Sequence, residues 1–172
     1  YAWVSQEHGS LNLLVNNAGI QNWMSVDDKD FFTRAKTEIA INIEAPLHLT
    51  ALFINLPSLH TLMNVSSGLS FVPLAKVPVY SASKAFMHSF TLSLRHSLKT
   101  RNIDVIEVIP PALNTDLGGK GIHDQAPPVS DFIETIFEQL KQGKEELTTG
   151  FSEAMTKAGP DELKQAFARM NP

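Results

Sequence analysis

The chain has 172 residues, of which 43% are hydrophobic and 19% are charged, so it is long enough to bury the core of one domain. With a formal net charge of -4, the chain lacks the excess of basic residues that is typical of nucleic-acid-binding proteins. No apolar run approaches the ~20 residues that span a bilayer. The absence of cysteine excludes disulfides, thiol catalysis and Cys-ligated zinc and fits a cytoplasmic protein, and the six histidines show no metal-ligand spacing. We therefore expect a protein of small-molecule chemistry, without metal, nucleic acid or membrane partners.

The first strand is predicted over residues 11–15, after an amphipathic helix that ends at Gly9. Its residues are apolar without alternation, as expected of a parallel strand that helices cover on both faces. The sequence Asn-Asn-Ala-Gly follows, at positions 16–19. Read from the residues alone, it is a strand-to-loop turn in which Asn and Gly provide the turn geometry.

Gln21 and Trp23 follow this strand, at the carboxyl end where open α/β sheets bind their ligands. Trp23 can line a substrate pocket or cap the core. A long helix is predicted over residues 35–53, and Pro46 within it cannot donate a hydrogen bond to the carbonyl of Asn42. That carbonyl can hold an ordered water, or the proline can only curve the helix over the sheet.

A second buried strand is predicted over residues 61–65. It runs into Ser66, Ser67 and Gly68, and an apolar run that ends in hydroxyls and a glycine is typical of a strand entering a loop. The segment that follows, which includes Leu69, mixes apolar and turn residues and is expected to form a loop on the substrate side.

Tyr80 and Lys84 begin a helix predicted over residues 79–99. Positions four apart lie on one face of a helix, about 6 Å apart along its axis. An adjacent ammonium favours the phenolate and can lower the pKa of Tyr80 toward neutral pH, so the pair is a candidate acid/base device. Alone, Tyr-x-x-x-Lys also recurs by chance, with the tyrosine packed on the lysine stem.

The same helix repeats apolar residues every four positions, at Phe86, Phe90, Leu94 and Leu98, and we expect this stripe to face the sheet.

The C-terminal third is predicted to begin with a strand at residues 103–109 that ends in Pro-Pro-Ala-Leu-Asn-Thr at positions 110–115. The glycine- and proline-flanked segment between Leu117 and Val129 is predicted to be a mobile lid. Its Gly-Gly-Lys-Gly lacks the spacing of a phosphate-binding loop. A helix at about 132–142, an edge strand at 146–149 and a helix at 160–169 complete the predicted elements.

Taken in order, Asn42, Ser67, Tyr80 and Lys84 resemble the Asn, Ser, Tyr and Lys set of the short-chain dehydrogenase/reductase family. The resemblance implies an α/β fold with a Rossmann-like doubly wound parallel sheet. This chain would hold the C-terminal half, with about four strands and flanking helices. It also implies hydride transfer between NAD or NADP and a small carbonyl compound or secondary alcohol.

The resemblance assigns a role to each member of this set. Ser67 would hold the carbonyl oxygen, and Tyr80 would give or take its proton. Lys84 would lower the pKa of Tyr80 and bind the nicotinamide ribose. Asn42 would position a relay water that links the lysine to solvent.

The resemblance further implies a cofactor site. Ala18 and Gly19 would let the backbone approach the cofactor, while Asn17 would help to tie the strands together. Residues 110–115 resemble the family's Pro-Gly-x-x-x-Thr segment, which packs on the nicotinamide, and Pro111 in place of the glycine removes a backbone donor and fixes φ. The implied cofactor residues are Asn17, Ala18, Gly19, Tyr80, Lys84, Pro110, Leu113 and Thr115, and the implied substrate-pocket residues are Gln21, Trp23 and Leu69.

The glycine-rich turn that grips a dinucleotide pyrophosphate at a helix N-terminus is not found among the nine glycines. We expect a longer enzyme, with on the order of 70 to 80 further residues before Tyr1. That segment would carry the glycine-rich turn and the residue that selects NAD or NADP. Residues 1–172 would then be the C-terminal, catalytic part of a single NAD(P)-binding domain.

The family resemblance implies a homodimer or homotetramer formed through the helices of residues 35–53 and 79–99. Two alternatives stay open, a non-catalytic binding or regulatory protein on a degenerate form of this fold and an inactive fragment of a longer enzyme.

Overall fold

The computed structural model describes all 172 residues, and its centre is one sheet of four parallel strands in the order β1-β2-β3-β4. The strands are β1 at Leu13–Asn16, β2 at Thr61–Val65, β3 at Asp104–Ile109 and β4 at Glu146–Thr148. In the register of the sheet, Asn16 lies beside Asn64 and Val65 beside Val108. Parallel neighbours need a crossover connection, and helices supply it between each pair. The prediction of about four parallel strands is confirmed.

Seven α-helices accompany the sheet. They are α1 at Ala2–Glu7, α2 at Phe31–Ile39, α3 at Ala45–Phe53, α4 at Pro78–Leu98, α5 at Val129–Lys141, α6 at Gly150–Lys157 and α7 at Pro160–Met170. A π-helical turn at Ala40–Glu44 joins α2 to α3 without a break, and 3-10 turns occupy Gly68–Ser70 and Lys99–Arg101. No helix of the structure has both the length and the hydropathy that crossing a bilayer requires.

Helices pack on both faces of the sheet, as a doubly wound fold requires. On one face, Leu62 and Val105 pack against Leu98 at the end of α4. On the other face, Val108 packs against Phe132 of α5. Val105 and Val108 are three residues apart on one strand, and alternation along the strand places them on opposite faces.

Helix α4 follows the predicted stripe only in its second half, where Leu98 is buried and Leu94 packs against the same cluster, whereas its first half turns a different face to the sheet. Tyr80, Lys84 and Met87 are buried, whereas Phe86 is 37% exposed. Phe86 stacks on Phe90 with the ring centroids 5.9 Å apart. Lys84 and Phe86 lie two positions apart, about 200° around the helix, so burying Lys84 directs Phe86 away from the sheet.

Strand β1 is an edge strand that is covered less than predicted. Leu13 and Val15 are 41% and 44% exposed. Leu14 lies on the face of the sheet that α3 and α4 cover. Successive side chains of a strand point to opposite faces, so Leu13 and Val15 lie on the face that α5 covers. Helix α5 packs mainly toward the opposite edge, on β3 and β4, and leaves these two side chains exposed. The expectation that helices cover both faces of β1 is therefore wrong for this chain.

Candidate active site

Four side chains named from the sequence converge where β1 and β2 end and α4 begins. The Ser67 side chain faces the Tyr80 hydroxyl closely enough to lower its pKa. Lys84 Nζ lies 5.5 Å from the centroid of the Tyr80 ring. Asn42 Nδ2 donates to Ser83 Oγ at 3.1 Å, between Tyr80 and Lys84 in the sequence. The structure thus brings these groups together in a buried place.

The Tyr80 hydroxyl is strongly desolvated. Burial raises its pKa to about 12, the Ser67 side chain lowers it in part, and the charge of Glu38 raises it further. The structure therefore differs from the expectation that Lys84 lowers the pKa of Tyr80. Burial is the main cause of the raised pKa, and the Lys84 ammonium lies over the ring and donates to the Val65 carbonyl at 2.8 Å. Tyr80 is a neutral phenol at pH 7.

Lys84 is buried beside the loop that follows β1. Burial lowers the pKa of its ammonium from 10.5 to about 8. Gly19 makes the approach of this loop possible, since a Cβ at Gly19 would lie 3.6 Å from Lys84 Nζ and 3.3 Å from Asn42 Oδ1. The small residue therefore leaves a space next to the ammonium.

Asn42 lies in the π-helical turn. The Ala45 amide donates to the Ala40 carbonyl, five residues back, instead of four as in an α-helix. Pro46 follows directly and has no amide hydrogen to donate to the Asn42 carbonyl. The chain thus accommodates the predicted irregularity at Pro46 by widening one turn, and such turns are frequent at functional sites.

The Asn42 side chain joins two parts of the site. Its Oδ1 accepts from the Ile20 amide at 2.9 Å, and its Nδ2 donates to the Ile20 carbonyl at 2.9 Å as well as to Ser83. Ser83 Oγ in turn donates to the Tyr80 carbonyl at 2.7 Å. Asn42 therefore holds the loop after β1 against the first turn of α4.

The strands are tied together by Asn16 and not by Asn17. Asn16 Nδ2 donates to Asn64 Oδ1 at 2.8 Å, and Asn64 Nδ2 donates to Thr91 Oγ1 at 2.9 Å. Asn17 and Ala18 are exposed. Alternation explains the difference, because the last residue of β1 points to the α4 face and the next one points away.

The three predicted pocket residues have different environments. Trp23 lines a cavity of about 600 Å³ together with Met24, Ser25, Val26, Asp28, Ala75, Lys76 and Pro78. Gln21 does not line it, and a Cβ on Gly118 would lie 2.5 Å from Gln21 Oε1 and 3.0 Å from Trp23 Nε1. Leu69 is also outside this cavity, and its amide donates to Ser67 Oγ at 3.1 Å. The segment predicted as a lid thus rests on Gln21 and Trp23.

The segment compared with the nicotinamide-binding sequence packs beside β3. The Pro110 carbonyl accepts from the Gly68 amide at 3.1 Å, and Leu113 packs on the cluster of Val108 and Phe132. Thr115 is exposed, and its Oγ1 accepts from the amide of the nearby lid residue 117 at 3.4 Å. These residues make no hydrogen bond with Tyr80 or Lys84.

Glu38 is a buried acidic group of this site that was not predicted from the sequence. It lies one helical turn before Asn42, and its Oε2 accepts from the Asn22 amide at 3.3 Å and from Asn22 Nδ2 at 2.9 Å. Its Oε1 has no partner, and burial raises the pKa of this carboxyl. The spacing of four from Asn42 on a predicted helix was the signal that could have revealed it.

The chain is similar to proteins of one family. The family model described as short chain dehydrogenase matches residues 1–126. The "Uncharacterized oxidoreductase DltE" of Bacillus subtilis (strain 168) is 38% identical, over 99% of this chain and 71% of its own length. The "Short-chain dehydrogenase virD" of Hypocrea virens (strain Gv29-8 / FGSC 10586) is 30% identical over 69% of this chain, and the match spans 42% of its own length.

The fold is shared with solved structures. A short chain dehydrogenase from Burkholderia cenocepacia J2315, in complex with NADP, has a TM-score of 0.81 and 23% sequence identity, covering 98% of this chain and 74% of that protein. At this identity the likeness concerns the fold. It confirms the Rossmann-like doubly wound sheet that the motifs implied.

Proposed function

The chain belongs to the short-chain dehydrogenase family of oxidoreductases, and we propose that it supplies the catalytic part of a domain that interconverts a carbonyl compound and a secondary alcohol with NAD or NADP. The observation that carries the proposal is that the half-buried Ser67 lies next to the buried Tyr80 and Lys84. A carbonyl oxygen must gain a proton when it is reduced to an alcohol. A neutral phenol next to a hydroxyl and an ammonium can donate that proton.

The residues present fit the nicotinamide end of a dinucleotide. Gly19 leaves a space beside Lys84 Nζ that any side chain would fill, and this space supports a cofactor there. When bound, the dinucleotide supplies or accepts the hydride. We assign its binding to one group of residues, namely Asn17, Ala18, Gly19, Tyr80, Lys84, Pro110, Leu113 and Thr115. The NADP in the Burkholderia cenocepacia structure supports this cofactor class.

In this proposal Ser67 and Tyr80 act on the substrate oxygen. Ser67 donates a hydrogen bond to the carbonyl oxygen and orients it. Tyr80 donates its proton to the same oxygen during reduction and takes it back during oxidation. A raised pKa suits the reductive direction, because the proton is present on the phenol at neutral pH.

Lys84 acts when the proton leaves Tyr80. A phenolate in this buried place would be costly, since desolvation disfavours the charged form. The ammonium 5.5 Å from the ring centroid offsets that cost. The Lys84 ammonium therefore stabilises the Tyr80 phenolate that forms on proton transfer, and not the neutral phenol before it. The Asn42 backbone carbonyl, opposite Pro46, positions the water that returns a proton to the site.

The cavity lined by Trp23 reaches Pro78, two residues before Tyr80, and we propose that it holds the part of the substrate that lies beyond the reacting carbonyl. It contains apolar groups and only two charged ones, Asp28 and Lys76. Uncharged ketones and aldehydes fit this lining better than multiply charged compounds. We also propose that the protein self-associates through the helices of residues 35–53 and 79–99, where the exposed Phe86 lies.

Fluorescence titration with NADH and NADPH, followed by assays with a panel of uncharged ketones and aldehydes, tests this function. We expect the intact protein to bind at least one of the two dinucleotides and to oxidise it only when a carbonyl compound is present. Binding without turnover on any compound would favour a non-catalytic binding protein. Absence of binding would contradict the proposed function.

A further inference from the structure

A charged pair, Glu107 and His88, lies on the same side of α4 as Lys84, one helical turn further along. Glu107 of β3 is fully buried, and its Oε1 accepts from Ser66 Oγ at 2.5 Å. Its two carboxylate oxygens lie 3.1 and 2.9 Å from His88 Nδ1. The cluster therefore joins β3 to the end of β2 and to α4.

Each arm of this cluster ends next to a residue of the site. Ser66 directly precedes Ser67 in the chain, and its amide donates to the Val108 carbonyl at 2.9 Å. His88 lies one helical turn beyond Lys84 on the same face of α4. Glu107 thus bonds to both elements that must be aligned for Ser67 to meet Tyr80.

Stability alone does not account for a carboxylate in this position. Taking a charged pair out of water is costly, and apolar side chains of similar volume often replace such pairs with equal or higher stability. Nucleophilic catalysis does not account for it either. Ser66 is 1% exposed, so a substrate cannot reach its hydroxyl, which donates to the carboxylate.

The surroundings of His88 favour its bond to Glu107. The hydrogen bond with Glu107 is the main reason why the pKa of His88 is raised, against the effect of burial. The charge of Glu146 raises it further, and that of Arg95 lowers it. Phe71 covers the imidazole, with the ring centroids 4.6 Å apart. His88 can donate from Nδ1 to the carboxylate whether or not it is protonated.

We propose that Glu107 and His88 are positioning residues, which hold the end of β2 through Ser66 so that the Ser67 hydroxyl faces Tyr80. This inference rests on the proposed carbonyl chemistry for its kinetic consequence. Neither residue touches the substrate. A displacement of the hydroxyl by about 1 Å is enough to lower the rate of a reaction that depends on orientation.

The test is the double variant Glu107→Leu/His88→Leu of the intact protein. It removes the carboxylate and the imidazole together, so no unpaired charge is left in the core. We expect thermal stability equal to or above that of the parent, with kcat lowered about tenfold or more and an unchanged dissociation constant for the dinucleotide. The matched control is Glu138→Gln/Lys141→Gln, which removes an exposed pair on α5 and should leave kcat unchanged.

A second variant covers the case in which the double variant does not fold. Glu107→Gln keeps an acceptor for Ser66 without the charge, so it should retain kcat within about threefold of the parent, whereas Ser66→Ala should lower kcat about tenfold. Parental kcat in the folded double variant, or in Ser66→Ala, would overturn the proposal. So would a loss of kcat in Glu107→Gln as large as that in Ser66→Ala.

Hydrogen exchange separates this inference from the proposed function. The Leu69 amide is bonded to Ser67 Oγ, so its protection reports the placement of Ser67 without any turnover. We expect faster exchange at Leu69 in Ser66→Ala than in the parent. If the parent reduces no carbonyl compound, the proposed function fails, whereas unchanged exchange at Leu69 contradicts the positioning role itself.

Discussion

Tyr80 and Lys84 lie on one buried face of α4, and burial moves their pKa values in opposite directions. It raises that of the phenol to about 12 and lowers that of the ammonium to about 8. At pH 7 the phenol is neutral in the folded and the unfolded chain, so its burial adds no charge penalty. The ammonium is charged in both, and the folded state alone bears the cost of its desolvation.

Lys84→Met should therefore stabilise the protein at pH 7 while abolishing turnover. The folded pKa lies below the ordinary 10.5, so the unfolded chain binds more protons between about pH 8 and 10.5 and the parent gains stability as pH rises through that window. At pH 7 the shift corresponds to a penalty of up to about 3 kcal/mol, and we expect the variant to recover about 1 to 3 kcal/mol. The advantage should shrink toward pH 10.5.

Urea unfolding of parent and variant at pH 7 and pH 9.5 measures this difference. Lys141→Met is the control, because that lysine is exposed on α5 and should show no such pH dependence. A Lys84→Met protein less stable than the parent at pH 7 would show that the bond to the Val65 carbonyl outweighs desolvation.

The π-helical turn is the element that sets the position of Asn42. Pro46→Ala would provide the amide that Pro46 lacks and would favour a regular α-helical turn, with improved helix propensity. Closing that turn should rotate Asn42 away from Ile20 and Ser83. We expect equal or higher thermal stability with kcat lowered about tenfold or more, because the loop after β1 would lose its hold on α4.

Steady-state kinetics and thermal unfolding of Pro46→Ala test this expectation, with Pro57→Ala in the α3–β2 connection as the control. Full activity in a stabilised Pro46→Ala variant would mean that the widened turn only shapes the helix. In that case the proposed role of the Asn42 carbonyl would also be lost.

Strand positions could be predicted because apolar runs fix them. The predicted strand at 61–65 matches β2, and those at 11–15 and 103–109 match β1 and β3 to within one or two residues. Helix α6 was not predicted, because it begins at Gly150 and a glycine in a sequence indicates a turn. In the structure Gly150 has a left-handed φ of +56.

Orientation within elements was harder to predict than their positions. Apolar periodicity assigned the buried face of α4 correctly at Leu94 and Leu98, but near the start of the helix polar Tyr80 and Lys84 are buried in place of Phe86. Hydrophobicity cannot indicate a buried polar residue, because its burial is compensated by partners that are distant in sequence. The pair of Glu107 and His88, nineteen residues apart, was invisible for the same reason.

At the scale of the whole molecule, the four-stranded sheet has an open edge at β1. Its unpaired backbone groups lie next to the exposed Leu13 and Val15, and such an edge favours association with other chains. We expect the chain from Tyr1 to Pro172, expressed by itself, to self-associate at micromolar concentration. Leu13→Lys/Val15→Lys should shift it toward the monomer.

Sedimentation velocity on this chain and its double variant provides the measurement. The control is Ile133→Lys/Phe137→Lys, which places equal charge on the exposed face of α5, away from the edge. A parent chain that sediments as a monomer would contradict the prediction, and so would an equal effect of both double variants.

The central claim is that Tyr80 exchanges a proton with the substrate oxygen, and a single substitution tests it most directly. Tyr80→Phe in the intact protein removes only the hydroxyl from a buried ring. We predict that kcat for carbonyl reduction falls by a factor of about 10² or more while the dissociation constant of the dinucleotide stays within about twofold. Equal turnover by Tyr80→Phe and the parent would contradict the account.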